Sequence, residues 1–507
     1  MILNISQSSY FLALSVLLCL GGLFFGFANP IFHFPPMIFL FFLGLNRIAL
    51  SAGSGRQVFA QSLLASGLAY SAGLYWIVVP VSVYGGFPMA LAVFCPLLLG
   101  FCIGFFTSFY SLFVFTVKKS FAWFWLGVFG GSAWAGLELV REYALTGFPW
   151  LIAAQSFASW PQTIQAVSVV GSFGLAMIMA ACGIWFSLKK VKPACCAAVV
   201  LLIFLGYGFF LPEQSRDNEA KILAVQGNIG QDIKWEQDSQ LMTIQKYMDL
   251  TKKGVAENPP DLVIWPETAL PFYFQEPTEL ANKVRQFALE NSLDIVTGSP
   301  GYKLDEHGAG YSLFNRAYLL SSDGFIHDYY DKERLVPFGE YVPLSRYIPF
   351  VDKLVEGELD FSSGTITSPL IKDNLTLGVL ICYEIIFPGL VRQRIEQGAN
   401  IIINISNDAW FGNTSAPVQH LHLSVLRAVE QNRYVIRATN TGISAFIDPA
   451  GNVYNQSALF QDAYIMDRAG LIDAKTIYYH LHWTINFLLL AGIVISLSIH
   501  TIKKKKS

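Results

Sequence analysis

The chain has 507 residues, 53% of them hydrophobic and 14% charged, with a mean hydropathy of +0.45 and a formal net charge of -2. That is too apolar for an ordinary soluble protein. A charge so near zero leaves no electrostatic footprint for nucleic acid. The length leaves room for more than one domain.

The apolar residues are concentrated in residues 1–212. A bilayer takes about 20 apolar residues per helix. Runs of this kind fall near 8–28, 32–50, 58–80, 88–117, 121–140, 164–187 and 195–212, and an eighth near 484–501. The run 88–117 is overlong, which predicts a tilted or partly interfacial helix. The first run is followed by seven more, so it is not a lone cleaved signal peptide.

The basic residues then set orientation. Arg47 and Arg56, then Lys118 and Lys119, then Lys189, Lys190 and Lys192, then Lys503–Lys506 sit in alternate connections and at the end. With eight spans these all fall on one side, which the positive-inside rule makes the cytoplasm. Residues 213–475 then lie on the opposite face, the periplasm of a bacterium with two membranes. The opposite-face loops are 81–87 and 141–163. In the second, Gly147-Phe-Pro-Trp150 reads as an interfacial aromatic belt, and Glu138 with Arg141 as a snorkelling pair.

Residues 213–475 have the composition of a globular domain. Lys221–Gln226 reads as a strand, 237–256 as a helix, Asp261–Trp265 as a buried strand running into Pro266 and Glu267, 277–291 as a helix, and Leu293–Gly298 as a strand. Asn315–Leu320 and Phe325–Tyr330 flank Ser322-Asp-Gly324 as a hairpin. The apolar strand from Leu377 stops at Cys382, and a helix follows through 389–397. Asn400–Ile405 is a strand ending in the turn Ser406–Gly412, a helix covers 416–436, and Gly442–Ile447 and Tyr464–Met466 flank a Pro449-Ala-Gly451 turn. This alternation predicts a mixed sheet flanked by helices. No internal repeat is visible.

Three of these strands end in reactive groups: Glu267, Cys382 and the Ser406–Asp408 turn, with Lys332 after another. Ligands of α/β sheets sit beyond the carboxyl ends of strands. Cys382 is the one cysteine of seven outside the apolar runs, so no disulfide partner stands in its own region. Taken singly, it fits a small buried hydrophobe, Glu267 a carboxylate at a helix start, and Lys332 a solvated turn residue. Taken together they make a definite chemistry. A thiolate attacks, a carboxylate takes the thiol proton, and an ammonium steadies the oxyanion, giving acyl transfer through a thioester. His420 and His422 are two apart in a helix and face different ways, a poor metal pair. No metal and no cofactor are expected.

Trp265-Pro-Glu267, Lys332 and Ile381-Cys382-Tyr-Glu384 resemble the nitrilase (carbon-nitrogen hydrolase) superfamily. Gln226-Gly-Asn, Leu335-Val-Pro-Phe-Gly-Glu340-Tyr-Val-Pro343 and Ser406-Asn-Asp-Ala-Trp-Phe-Gly412, inside this topology, look more closely like the apolipoprotein N-acyltransferase family. The resemblance implies a multi-span α-helical membrane domain (1–212), a nitrilase-like α-β-β-α sandwich (213–475), and an eighth span with a basic cytoplasmic tail (476–507). It implies an inner-membrane enzyme that moves the sn-1 acyl chain of a phospholipid, typically phosphatidylethanolamine, through a Cys382 thioester to the N-terminal amine of a diacylglyceryl apolipoprotein. Glu267 is then the base and Lys332 the oxyanion stabiliser. Glu340 is an accessory carboxylate, and Trp235, Tyr383 and Glu384 match further positions of the family. Glu333-Arg334 departs from it, because a histidine is expected directly before Leu335. A membrane-tethered amidohydrolase is the alternative within the superfamily. It leaves eight spans without a purpose. A transporter or sensor is disfavoured by the scarcity of intramembrane charge.

Overall fold

The computed structural model describes residues 2–27, 29–144, 146–210, 218–231, 237–304, 310–343, 360–365 and 368–506. The first part is helical: α1 (Ile2–Gly26), α2 (Ile38–Ser51), α3 (Gly55–Gly73), α4 (Met89–Val117), α5 (Trp123–Tyr143), α6 (Val167–Ser187) and α7 (Val191–Gly206). Then follow β1 (Glu219–Gln226), α8 (Gln237–Glu257), β2 (Leu262–Ile264), α9 (Glu279–Asn291), β3 (Ile295–Leu304), β4 (Tyr311–Leu320) and β5 (Ile326–Asp331). The last part holds β6 (Leu370–Lys372), β7 (Leu375–Ile381), α10 (Pro388–Glu396), β8 (Ile401–Ser406), α11 (Ala416–Gln431), β9 (Val435–Thr439), β10 (Ala445–Ile447), β11 (Val453–Gln456), β12 (Ala463–Gly470) and α12 (Ile477–Lys506).

Each of the eight apolar runs contains a helix. Among the described residues five helices are long and apolar enough to cross a membrane, or six when α3 and the segment Tyr75–Tyr84, bent from it by 59°, are taken as one span. α2 has only 14 residues. α5 has 21 but carries Glu138, Arg141 and Glu142 near its end.

The helices alternate in direction. At one end of the bundle, Lys118 Nζ donates to the carbonyls of Ala49 (3.1 Å) and Leu50 (3.0 Å), and Lys503 Nζ to that of Ser120 (2.7 Å). That end gathers the ends of α2, α4 and α12. At the other end, the carbonyls of Phe27 and Gly73 each accept from Gln419 Nε2 at 3.2 Å. Glu142 there accepts from Gly389 N (2.9 Å), and Ser172 N donates to Glu430 Oε1 (2.8 Å). That end gathers the ends of α1, α3 and α5 and the start of α6, all against the globular half.

The globular half is two six-stranded sheets, ordered β12-β1-β2-β3-β4-β5 and β11-β10-β9-β8-β7-β6. In the first, β1, β2 and β3 are parallel, β12 and β4 run antiparallel to them on either side, and β5 pairs antiparallel with β4. In the second, β7, β8 and β9 are parallel, β6 and β10 run antiparallel to them on either side, and β11 pairs antiparallel with β10. The two sheets thus share one topology although the sequence shows no repeat. α8 and α9 link the parallel strands of the first sheet, α10 and α11 those of the second. Alternate residues of β1 explain the layering. Ile222 and Ala224 belong to the core shared with the facing sheet, where β1 lies against β9, whereas Leu223 and Val225 belong to the core shared with Ile244 of α8 and Val284 of α9. The result is a nitrilase-like α-β-β-α sandwich.

α11 is buried almost all round, between the second sheet on one side and α6 on the other. A helix apolar or satisfied on every face belongs in an interior. The expected helix over 416–436 stops at Gln431. Asn432 takes a left-handed φ of 54°, with Arg433 N donating back to Ala428 O (3.1 Å). This is an asparagine helix stop, after which Tyr434 and Val435 enter β9. The apolar spacing carries on across the stop, so periodicity alone overran it. β6, β9 and β11 were not separately legible.

Candidate active site

The C-terminal ends of β2, β5, β7 and β8 meet where the two sheets face each other. Gly298 on β3 sits so close behind β2 that a Cβ there would lie 2.5 Å from Thr268 N and 2.7 Å from Glu267 Cα. Only glycine lets β3 press against this turn, and the turn delivers Glu267 inward at 6% exposure. Glu267 Oε2 accepts from Asn407 N (2.9 Å), at the end of β8, so it bridges the two sheets. Its Oε1 accepts from Asn315 Nδ2 (2.7 Å) and lies 3.4 Å from Lys332 Nζ.

Lys332, directly after β5, is 1% exposed. Its Nζ also pairs with Glu340 Oε1 at 2.9 Å. Glu340 Oε1 accepts from the same Asn315 nitrogen (2.7 Å), and its Oε2 from Val336 N (2.8 Å). One ammonium and one amide therefore hold two carboxylates. Burial works against the Lys332 ammonium, but Glu340 and Glu267 outweigh it, so it titrates above the ordinary lysine value and stays charged.

Cys382 follows β7 and opens a short 3₁₀ turn, Cys382–Ile386. Its φ is 53°, an uncommon value for a residue with a side chain. The residue is 8% exposed. Burial pushes its pKa up, and the negative charges of Glu267 and Asp408 add to this, against the Lys332 charge and a hydrogen bond from Ser406. The resting group is a thiol, so its attack requires a base.

Tyr383 and Glu384 complete the turn without meeting the carboxylate pair. Glu384 is fully buried. Its Oε1 accepts from Tyr330 Oη (2.7 Å), Glu333 N (2.7 Å) and Arg334 N (3.0 Å), and its Oε2 from Ile381 N (2.7 Å). Burial raises its pKa, against the pull of Arg394 and these donors. It ties the cysteine turn to the lysine segment. The departing pair Glu333-Arg334 thus supplies two backbone donors, and the Glu333 side chain pairs with Arg394. Tyr383 Oη donates to Gly147 O (2.7 Å), and its ring stacks on Phe148 (6.5 Å between centroids, 25°).

This last contact corrects one expectation. The Gly147–Trp150 segment is no interfacial belt: Trp150 is 1% exposed, stacks on Phe148 and donates through Nε1 to Gln419 Oε1 (2.8 Å). Nor do Glu138 and Arg141 snorkel. Arg141 Nη2 donates to Trp150 O (2.6 Å), and Glu138 Oε1 accepts from Ala153 N (2.8 Å) and Trp134 Nε1 (2.9 Å). Both clamp the loop that walls the site.

Trp235 lies outside the described residues. Asn315 and the backbone of Asn407 are site members that the motifs did not reveal. Asn315 sits inside an apolar strand, where its spacing signals only a hairpin. Among the described residues no group of three or more His, Cys, Asp or Glu could hold a metal ion.

The carbon-nitrogen hydrolase family model matches residues 221–472, and the apolipoprotein N-acyltransferase N-terminal domain model matches residues 21–185. The chain is 33% identical over 475 residues to a Geobacter metallireducens protein named apolipoprotein N-acyltransferase, covering 90% of each. It is 32% identical over 451 residues to a Rickettsia prowazekii protein of that name, covering 85% of this chain and 86% of the relative. A Caulobacter vibrioides protein of that name is 35% identical over 361 residues, covering 68% of this chain and 66% of the relative.

Proposed function

The chain belongs to the apolipoprotein N-acyltransferase family, and on that premise we propose that it carries a phospholipid acyl chain through a Cys382 thioester to the N-terminal amine of a diacylglyceryl apolipoprotein. Glu267 takes the Cys382 proton as the thiolate attacks the sn-1 ester carbonyl of a phospholipid such as phosphatidylethanolamine. The oxyanion forms beside the Lys332 ammonium. Its collapse breaks the ester C–O bond, and the lysophospholipid oxygen leaves with the proton from Glu267. The lipoprotein amine then attacks the thioester and gives a proton to Glu267. The C–S bond breaks and the thiolate takes that proton back. Glu340 holds Lys332 in place, Tyr383 and Glu384 fix the turn, and Trp235 is assigned a part in binding substrate by family likeness alone.

The observation that carries this reading is the meeting of Glu267 and Lys332 across 3.4 Å, buried beside the Cys382 turn, under a wall donated by the membrane half. Water at such a site would hydrolyse the thioester, and that wall limits its access. An acyl chain exposed to water costs about 0.8 kcal/mol per CH₂, so a site walled by a loop of the membrane half suits a lipid donor. A tethered amidohydrolase acting on small amides has no use for that wall. We assign residues 1–212 to a membrane domain, 213–475 to the catalytic domain and 476–507 to the last span and basic tail. The domain 213–475 then faces the periplasm, because Lys118 and Lys503 gather at the far end of the bundle.

The test is intact mass before and after exposure to phosphatidylethanolamine vesicles. Wild type gains one acyl group on Cys382, and Cys382→Ser gains none. An unmodified wild type, or an acylated Cys382→Ser, refutes the assignment.

A further inference from the structure

Beneath the Cys382 turn lies a buried polar network that the reaction above does not use. His420, on α11, has no exposed surface. Its Nε2 is 3.2 Å from Cys382 O, and its Nδ1 is 3.1 Å from Asp408 Oδ1. Asp408 is held in turn by Ser406 Oγ (2.7 Å) and by Arg437 Nη2 (3.1 Å). Asn404 Nδ2 also points at Cys382 O, at 3.3 Å, and is itself fixed by Arg437 Nη1 at 2.6 Å on its Oδ1.

A carbonyl oxygen only accepts, so His420 Nε2 carries a proton and donates to it, and the Nδ1 of that tautomer accepts from Arg437 Nη2, 3.4 Å away. This carbonyl belongs to the residue at φ 53°. Such a backbone persists only where its surroundings over-determine it. On one side of Cys382, Glu384 grips the Ile381 N–H (2.7 Å); on the other, His420 and Asn404 grip the Cys382 carbonyl. The peptide that follows Cys382 is held directly and the one before Ile381 by Glu384, which restrains the backbone at Cys382 and the direction in which the thiol leaves it. The neighbouring Gln419 anchors the same turn of α11 in the membrane half, taking Trp76 Nε1 (3.1 Å) and Trp150 Nε1 (2.8 Å) on its Oε1.

We propose that His420, braced by Arg437, which Asp408 holds, is a positioning residue for the acylation of Cys382: its Nε2–H holds the Cys382 carbonyl and so aims the thiol. This rests on Cys382 being the nucleophile. Glutamine at 420 places an amide N–H near the Nε2 position; asparagine reaches only as far as Nδ1.

The experiment is single-turnover acylation of the full-length protein in phosphatidylethanolamine vesicles, followed by intact mass, for His420→Gln, His420→Asn and His420→Phe. His420→Gln is expected within about threefold of wild type, and the other two at least about tenfold slower with apparent KM for lipid unchanged, since small misplacements of a reacting atom cost rate and not binding. If His420→Phe fails to fold, the two amides, equal in polarity, decide alone. Asparagine acylating as fast as glutamine overturns the proposal. A wild type that never gains the acyl mass overturns the nucleophile assignment itself, whereas an acylated wild type matched by all three variants overturns only the role of His420.

Discussion

Replacing Lys332 by methionine keeps the length of the side chain and removes its charge. Glu267 Oε1 and Glu340 Oε1 each lie 2.7 Å from Asn315 Nδ2, so they are at most twice that distance apart. Two like charges at that separation repel by about 3 kcal/mol at an effective dielectric of about 20. The ammonium that pairs with both carboxylates no longer offsets this. At about 2–4 °C per kcal/mol for a unit of this size, the thermal midpoint at pH 8 should fall by roughly 6–12 °C. A proton on either carboxylate relieves the repulsion. The folded variant then binds a proton more tightly than the unfolded chain, so its stability falls as pH rises. The deficit at pH 5 should therefore be clearly smaller than at pH 8. Lys332→Met combined with Glu340→Gln should recover the midpoint at pH 8. Neither variant should recover acylation of Cys382, which loses about a hundredfold or more without the cation at the oxyanion. The assay is a thermal melt in detergent at both pH values, paired with acyl-enzyme mass. A deficit equal at the two pH values, or acylation within tenfold of wild type, refutes this account of the trio.

Lys332→Arg should also be severely impaired, because a planar guanidinium has no room where the ammonium is 1% exposed between two carboxylates; near-normal kinetics would show the lysine to be peripheral. Glu384→Ala strands the Ile381, Glu333 and Arg334 N–H groups and should destabilise the protein by about 3 kcal/mol or more, at about 1–3 kcal/mol per buried orphan. A melt within 1–2 °C of wild type would remove its structural role. His422 is buried, and burial together with His33 lowers its pKa to about 3. The unfolded chain takes up a proton there below about pH 6.5, and the fold refuses it. Stability should thus fall between pH 6.5 and 4, by at most about 1.4 kcal/mol per pH unit from this group. His422→Leu should flatten that slope, and parallel slopes for the two proteins would refute the assignment.

The three residues proposed as the triad were legible because chemistry accumulates where apolar strands stop. Trp265-Pro-Glu267 and Ile381-Cys382 each place an ionisable group at the end of a buried run, and such placements are costly unless used. The residues that support them were not legible. Asn315 lies mid-strand, and its role exists only because β4 runs beside β5 and brings Lys332 to it. His420 shows no local pattern, since its partner Cys382 is 38 residues away. The belt reading of Gly147–Trp150 failed for the same reason. Aromatics near a span end look alike in sequence whether they face lipid or another domain. Only the contacts with Tyr383 and Gln419 tell the two apart. The doubled sheet topology was hidden because pairing order is a property of backbone bonds and not of side-chain type.

α11 is the element that turns two halves into one object. Its sheet-facing side carries His420 to the cysteine carbonyl, while Gln419 caps the carbonyl ends of α1 and α3. Further along, Arg427 and Glu430 pair at 3.0 Å with no exposure, and both reach Ser172 at the start of α6. A buried ion pair keeps its charges only while its remaining partners stay in place. Here those partners come from the membrane helices, so the globular half cannot shed them without stranding charge and apolar surface on α11. The same packing puts Phe148 against the ring beside Cys382. The thiol is thus presented where helices meet sandwich, the boundary at which the proposed lipid donor would arrive.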